Sequence, residues 1–244
     1  MTTLTVPFHL DERLPGLPVP GVPVGATPSG GTLVERLATL HDRLADAVAA
    51  HAGGEGPVTV AVGDCSAALG VVAGLQRAGT APSVVWYDAH GDFNTAATSP
   101  SGYLGGMPLA MLTGRDDLGL ASRLGLVPVP DDRVVLSGAR DVDADEEAAL
   151  AASTVRRLGV EDVVDATLPP GPLYLHVDLD VVDPADSPGH RYPAPGGPSA
   201  AAVAASLERV LATGRVAAST VACTWTLAEL ATDRPRALLD RLGL

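Results

Sequence analysis

Ser83-Val-Val-Trp-Tyr-Asp-Ala-His-Gly-Asp92 begins as an apolar, β-branched run and ends in polar side chains that can bind metals. Side chains at i, i+2 and i+4 of an extended chain share one face, so Asp88, His90 and Asp92 are predicted to meet at the end of a buried strand. Two carboxylates and one imidazole suit Mn²⁺, Fe²⁺, Co²⁺ or Zn²⁺. The alternative is an acidic turn made of ordinary turn-forming residues, and the spacing by itself favours neither.

A second stretch, Leu173-Tyr-Leu-His-Val-Asp-Leu-Asp180, repeats the pattern and places His176, Asp178 and Asp180 on one face. Inward-facing aspartates need a cation or hydrogen-bond donors to offset their lost hydration. Two such clusters at neighbouring strand ends favour a binuclear site, because two cations can share a water and generate hydroxide near neutral pH. That hydroxide can attack a planar, electron-poor carbon.

The pattern of apolar residues predicts an α/β fold with one domain over residues 1–244. Residues 7–32 are rich in Pro and Gly and are predicted to be irregular, and 95–106 is predicted to be a loop. Because strands and helices alternate, a mostly parallel sheet covered on both faces is expected, with ligands at the carboxyl ends of its strands. The predicted helices are 33–51, 66–77, 107–113, 143–152, 199–211 and 234–242, and the predicted strands are 58–62, 83–88, 133–137, 173–180 and 215–222.

The charge and hydropathy of the chain indicate which binding partners and which cellular compartment to expect. The formal net charge of −13 argues against nucleic acid and against an anionic membrane surface, so a small-molecule substrate is expected. No apolar run is long enough to cross a bilayer, and the N-terminal residues do not resemble a signal peptide. These features predict a cytoplasmic protein, in which Cys65 and Cys223 are free thiols.

Four motifs, taken in order, resemble those of the ureohydrolase family, which includes arginase, agmatinase and formimidoylglutamase. The resemblance implies an arginase-like three-layer α/β/α fold, an oligomer, two Mn²⁺ ions and cleavage of a guanidino or amidino C–N bond. The motifs are Gly63-Asp-Cys-Ser66, Asp88-Ala-His-Gly-Asp-Phe-Asn-Thr95, Gly138-Ala-Arg-Asp-Val-Asp143, and Val177-Asp-Leu-Asp-Val-Val-Asp-Pro184 with Pro188-Gly189.

The resemblance also implies roles for individual residues. Asp92 would bridge the metals and help to relay the proton. Asn94, Ser101 and Asp143 would hold the amino-acid end of the substrate. The implied metal ligands are Asp88, His90, Asp92, Asp178 and Asp180.

Cys65 stands where the family has a metal-binding His. A thiolate is softer than an imidazole and prefers Zn²⁺ or Cu(I) to Mn²⁺. Two interpretations are possible. Cys65 binds a metal, so that one site takes Zn²⁺, or Cys65 is only a small buried residue and one metal site is weakened or empty.

Gly105 stands where arginases have a His that assists proton transfer. His176 is a candidate replacement in this catalytic role, acting beside Asp178 and Asp180. The alternative is a strand histidine whose hydrogen bonds are satisfied within the core.

The family's guanidinium-binding Glu is missing, since Cys223 lies at about its position. Glu229 could replace it only if the corresponding position lay several residues later in this chain. A guanidinium would lose a charge-assisted contact there, so ordinary arginine hydrolysis is not expected. The Cys at the metal position and the Gly-Tyr-Leu-Gly-Gly-Met segment ending at Met107 resemble N-hydroxyarginine hydrolases, a variant branch of the family.

The prediction is therefore a metal-dependent hydrolase that cleaves a C–N bond of a guanidino, hydroxyguanidino or amidino small molecule with a metal-activated hydroxide. The alternative is a catalytically degenerate relative with a structural or regulatory role, which the missing His and Glu favour.

Overall fold

The computed structural model describes residues 2–25, 29–54 and 56–244, and its centre is a parallel β-sheet. The strands are β1 (Thr2–Val6), β2 (Phe8–His9), β3 (Glu12–Arg13), β4 (Val22–Pro23), β5 (Val58–Val62), β6 (Ser83–Tyr87), β7 (Val134–Ser137), β8 (Arg156–Leu158), β9 (Leu173–Asp178) and β10 (Val216–Ala222). The helices are α1 (Leu33–His51), α2 (Ala68–Arg77), α3 (Pro108–Leu112), α4 (Leu120–Leu124), α5 (Ala144–Ala151), α6 (Ala200–Ala212), α7 (Leu227–Leu230) and α8 (Arg234–Leu242).

The sheet has eight strands in the order β4-β1-β5-β10-β9-β6-β7-β8, and each neighbouring pair is parallel. β2 and β3 form a separate antiparallel pair. Parallel strands point their carboxyl ends to one edge, so β5, β10, β9 and β6 deliver the residues that follow them to one place.

Two apolar cores cover the two faces of the sheet. On β6, Val84 and Trp86 pack in the core that includes α1 and α2, whereas Val85 and Tyr87 pack in the core that includes α6 and α8. This alternation is what a strand buried on both sides requires. The predicted three-layer α/β/α architecture is confirmed.

Most predicted elements are present with ends shifted by a few residues. The predicted strand 173–180 ends at Asp178, because its Oδ1 accepts the Asp180 amide at 3.0 Å and starts a 3₁₀ turn over Leu179–Val181. The predicted helix 66–77 likewise begins with a 3₁₀ turn, Cys65–Ala67, which Asp64 caps.

Several short elements were not predicted. β2, β3 and β4 lie in the segment expected to be irregular, and β1 precedes it. β8 is the edge strand Arg156-Arg-Leu158, whose two arginines are exposed, so it has no apolar pattern to detect. α4 and α7 are four to five residues long, about one helical turn. No helix in the described part of the chain is long and apolar enough to cross a membrane.

Candidate metal centre

A cavity of about 660 Å³ opens at the carboxyl ends of β5, β6, β9 and β10. It is where the topology of a parallel sheet predicts a ligand site. All six predicted metal ligands line this cavity: Cys65, Asp88, His90, Asp92, Asp178 and Asp180. The sequence patterns on β6 and β9 thus converge in space.

Asp88 is held rigidly at the end of β6. Its Oδ1 accepts the His90 amide at 2.7 Å, and its Oδ2 accepts the indole N–H of Trp86 at 3.1 Å. Asp88 is only 1% exposed. Its two oxygens are therefore oriented by local hydrogen bonds before any ligand arrives.

His90 lies between two carboxylates. Its Nδ1 is 3.3 Å from Asp88 Oδ1 and 3.2 Å from Asp180 Oδ2. Burial lowers the pKa of His90, but the hydrogen bonds and charges of Asp180 and Asp88 outweigh it and raise the pKa to about 12. In the metal-free chain the protonated His90 ring holds the two carboxylates together. A divalent cation would take over that role.

Asp178 connects β9 to two neighbouring elements. Its Oδ2 accepts the Cys65 thiol at 2.9 Å, and its Oδ1 accepts the Thr224 hydroxyl at 2.8 Å. Burial, and then the charges of Asp180 and Asp88, raise the pKa of Asp178 well above its usual range. Burial also raises the pKa of the Cys65 thiol, with the nearby Asp178 charge adding to it, so this sulfur is a protonated donor here.

Asp92 has a buried Oδ2 with no hydrogen-bond partner within the described residues, and its backbone is left-handed, with φ of 48°. Burial and the charge of Asp88 raise the pKa of Asp92 well above its usual range. An unsatisfied buried carboxylate oxygen is rare and needs a partner. Buried carboxylates this close together cannot all be ionised unless a cation balances their charge. A divalent cation would do so, and this set of donors therefore fits a metal.

Two groups of side chains have ligand atoms that all lie within 4.8 Å of one another: Asp88 with His90 and Asp180, and Asp88 with Cys65 and His176. Asp88 is the residue that the groups share. Asp92 is in neither, so its bridging role stays a prediction.

His176 lies below the cavity and does not line it. The side chain is fully buried, and its ring stacks on Trp86 with centroids 3.6 Å apart. Burial lowers the pKa of His176 to about 3, so the ring is neutral. Its predicted catalytic role therefore has no support from contact with the cavity, although its ring lies directly beneath Asp88.

The three predicted substrate-binding residues line the same cavity farther from the carboxylates. Asn94 Nδ2 donates to Asp143 Oδ2 at 2.9 Å, and Ser101 is exposed at the mouth. Arg191 joins them, and its guanidinium has no hydrogen bond or ion pair within the described ranges. Asp141 is a further exposed carboxylate of this lining, so the mouth presents acidic groups, the cation of Arg191 and neutral polar groups.

Tyr103 fills the space beside Gly105. A side chain at position 105 would overlap the ring of Tyr103, which explains why glycine stands there. Tyr103 Oη donates to Asp64 Oδ2 at 2.9 Å and lies 3.2 Å from His9 Nε2. Burial and the Asp64 charge raise the pKa of Tyr103 above its usual range, so the phenol keeps its proton. The sequence analysis missed Tyr103, although it lies two residues before Gly105.

Thr224, and not Cys223, is the residue after β10 that lines the cavity. Cys223 is fully buried in the core beneath α6 and α8. Glu229 does not replace the missing acid, since its carboxylate pairs with Arg234 Nε at 2.7 Å beside a separate cavity. Thr224 offers a hydroxyl where the resemblance led us to expect a carboxylate.

The comparisons with known proteins agree with this fold. A profile of the arginase family matches residues 19–224. Bacillus subtilis arginase is 38% identical over 148 residues, which are 55% of this chain and 50% of that protein. By sequence the chain thus spans about half the length of the curated relatives it matches.

Solved structures match over nearly the whole chain. Bacillus cereus arginase has a TM-score of 0.81 at 25% identity and covers 99% of this chain and 95% of its own. Entamoeba histolytica arginase, solved in complex with L-ornithine, has a TM-score of 0.81 at 20% identity, covers 99% and 97%, and supports the fold alone. Bacillus subtilis formimidoylglutamase, at 14% identity and TM-score 0.71 over 99% and 85%, does likewise. The parallel sheet, the carboxylates at its edge and the profile match define an arginase-fold protein. The chain belongs to the arginase family.

Proposed function

We propose that this protein is a metal-dependent hydrolase that cleaves a C–N bond of a small guanidino, hydroxyguanidino or amidino molecule. The observation that carries the proposal is the buried set of acids and imidazole at the cavity floor, in which Asp92 Oδ2 has no partner within the described residues. Such a set costs stability unless it binds cations, and the arginase-family relatives support a hydrolytic use.

Asp88, Asp178 and Asp180 with His90, Asp92 and Cys65 would hold two divalent cations. When bound, such a pair supplies a hydrolytic nucleophile at neutral pH. The oxygen-rich group around His90 suits Mn²⁺, whereas the sulfur of Cys65 favours Zn²⁺ for the other position. Asp88 belongs to both groups of possible ligands and would help to hold both cations, and Asp92 is assigned to accept the proton.

Tyr103 is the group we assign to holding the leaving nitrogen through its phenol oxygen. It lines the cavity beside Gly105, where the family's histidine would stand, and its phenol stays protonated because burial and Asp64 raise its pKa. Its bond to Asp64 fixes the orientation of the hydroxyl. Because the proton is donated to Asp64, the phenol oxygen is left to accept an N–H hydrogen bond from the substrate nitrogen.

A hydroxyguanidine of an α-amino acid is the substrate that the cavity favours. An oxygen on the guanidine withdraws electrons and lowers its basicity, so the head group does not depend on a facing carboxylate, and Thr224 offers none. At the mouth, Arg191 and Asp143 match the carboxylate and ammonium of an amino acid.

A substrate panel tests the proposal. The protein is reloaded with Mn²⁺, Zn²⁺ or both, and urea, hydroxyurea, formamide and ammonia are measured from arginine, N-hydroxyarginine, agmatine and N-formimidoylglutamate. We expect kcat/KM for N-hydroxyarginine to exceed that for arginine by about 10- to 100-fold, the value of a charge-assisted hydrogen bond. No product from any substrate with any metal would overturn the proposal.

The same panel separates the enzyme from the degenerate relative. Asp92→Asn should abolish turnover and the cellular phenotype together if the protein is an enzyme. If the cellular role survives Asp92→Asn, the role is structural or regulatory. The family resemblance also supports a homo-oligomer, and the sequence pattern supports a single domain and a cytoplasmic location. Light scattering of the purified protein tests the first, limited proteolysis the second and cell fractionation the third.

A further inference from the structure

The layer of side chains beneath the carboxylates contains an imidazole that the proposed function does not use. Trp86 and His176 face each other in the register of β6 and β9, two residues before Asp88 and Asp178 respectively. Their rings stack at 3.6 Å with an interplanar angle of 15°. The position of the His176 ring is therefore fixed by packing against Trp86.

One side of the His176 ring is hydrogen-bonded and the other is not. Nδ1 lies 3.1 Å from the hydroxyl of Tyr174, which in turn lies 2.7 Å from Thr220 Oγ1. Nε2 is buried and has no partner within residues 2–25, 29–54 and 56–244. A buried, unpaired ring nitrogen costs free energy, and metal-binding histidines commonly use the second nitrogen in this way, with the first one oriented by a hydrogen bond.

The side chains grouped with the His176 ring are of types that bind metals. A ring nitrogen of His176, Cys65 Sγ and an Asp88 oxygen all lie within 4.8 Å of one another. Bonds of about 2.0–2.3 Å from one zinc ion to sulfur, nitrogen and oxygen place the donors within about that spacing. Asp178 Oδ2, which accepts the Cys65 thiol at 2.9 Å, lies beside them.

We propose that His176 is a metal ligand and that it forms, with Cys65 and Asp88, a sulfur–nitrogen–oxygen site that takes Zn²⁺. This inner site lies next to the outer group of Asp88, His90 and Asp180, and it rests on the proposed function only in treating the shared Asp88 as a metal ligand. On metal binding the Cys65 S–H bond breaks, the sulfur becomes a thiolate ligand and its proton leaves to solvent.

The proposal accounts for two features of the chain together. Cys65 stands where the resembling family has an imidazole, and His176 supplies an imidazole from the neighbouring strand. The number of nitrogen donors is kept while one sulfur is added. A sulfur-containing inner site and an oxygen-rich outer site predict a mixed pair, with Zn²⁺ inside and Mn²⁺ outside.

Metal titrations of the whole, chelator-treated protein test this without measuring turnover. With Co²⁺ as the probe, the wild type should develop a near-ultraviolet sulfur-to-cobalt charge-transfer band, and Cys65→Ser should abolish it. His176→Gln should weaken Zn²⁺ binding by at least about 100-fold, more than the loss of an outer hydrogen-bond partner costs. The matched control is His41→Gln, because His41 is also buried with an unpartnered nitrogen but belongs to neither group, and it should leave Zn²⁺ affinity unchanged.

A second measurement keeps the proposal falsifiable if His176→Gln does not fold. In His90→Gln loaded with one equivalent of Zn²⁺, X-ray absorption should show one sulfur and one imidazole around the metal. Absence of imidazole there, or wild-type Zn²⁺ affinity in His176→Gln, would overturn the inference. If Mn²⁺ binds but no thiolate band forms, only this inference fails. If no metal binds at all, the proposed function fails with it.

Discussion

Single residues at the cavity floor carry the chemistry, and Tyr103 provides the most direct test of it. Tyr103→Phe removes one hydroxyl and keeps the ring that packs against Gly105. We expect kcat to fall by about 10-fold, the value of one lost hydrogen bond, with little change in metal content. Steady-state kinetics on the best substrate of the panel provide the measurement.

Tyr192→Phe is the matched control for this prediction. Tyr192 lines the same cavity, its ring is 5.3 Å from that of Tyr103, and it is 43% exposed at the mouth. Its loss should change kcat by less than about threefold, since exposed substitutions have small effects. Equal losses in both variants, or none in Tyr103→Phe, would remove Tyr103 from the reaction.

The sequence was sufficient to predict which side chains form the cavity floor. Alternation along two strands predicts that Asp88 and Asp178 face the cavity, because that depends only on local geometry. Asp92 also lines the cavity, but it follows the end of β6 with a left-handed backbone, so the extended-chain prediction does not explain its position. Tyr103 and Thr224 were not predicted, since their positions depend on how a loop and the end of β10 fold over the sheet. The unpartnered nitrogen of His176 likewise follows from packing against a residue on another strand.

At the scale of elements, two glycines let α1 and α2 approach closely. A Cβ at Gly70 would lie 2.7 Å from the His41 carbonyl oxygen, and one at Gly74 would lie 2.6 Å from that of Ala45. α2 continues from the turn that contains Cys65. The contact between these helices therefore positions the sulfur at the cavity.

Gly74→Ala should destabilise the protein although alanine favours helices. The gain in helix propensity is about 1 kcal/mol, whereas the overlap with α1 forces a backbone shift that costs about 1–3 kcal/mol in a packed core, so we expect a small net loss. Denaturant unfolding measures it. Gly16→Ala is the control, because no atom of the described residues lies within 4 Å of its added Cβ, and a larger loss there would contradict the packing argument.

Elements with a strong local pattern were predicted well from the sequence, and the others were not. α1 has a capping box at Thr32 and an apolar stripe, and its predicted ends match. β1 pairs in register with β5 over five residues, but only that pairing distinguishes it from an irregular terminus. Short edge strands depend on their neighbours for hydrogen bonds, which a sequence pattern does not reveal.

At the scale of the whole molecule, the buried acids couple stability to pH in the metal-free protein. Burial and the charge of Asp88 raise the pKa of Asp180 to about 6, and the pKa values of Asp92 and Asp178 are raised well above their usual range. The pKa of His90 is raised from 6.5 to about 12. Above about pH 4 the folded state holds protons on these three aspartates that the unfolded chain has released, and above about pH 6.5 the same is true of His90.

The metal-free protein should therefore lose stability as pH rises from about 7 to about 9. Each proton retained only by the folded chain costs about 1.4 kcal/mol per pH unit, so we expect a loss of at least about 1 kcal/mol per unit. Two sets of groups act in the opposite direction at lower pH. Asp88, whose pKa is lowered, does so below about pH 4, and burial lowers the pKa values of His41, His176 and His190 to about 4, 3 and 4, so these three do so between about pH 4 and 6.5. Thermal unfolding across this range measures the slope.

Bound cations should remove this dependence. Excess Mn²⁺ and Zn²⁺ take the place of the protons, so the stability of the loaded protein should be nearly flat or rise over the same pH range. A metal-free protein whose stability rises between about pH 7 and pH 9 would show that the acids at the sheet edge are not held protonated by one another.

Asp92 has a further consequence for how such a chain changes over generations. It combines a left-handed backbone with a buried, unpaired oxygen, and both lower the stability of the fold. Glycine at this position would relieve both costs, and such a change is only one base away from an aspartate codon. A lineage free of selection for metal binding would tolerate that change. The aspartate at position 92 is therefore expected to persist only while its carboxylate has a cation to bind.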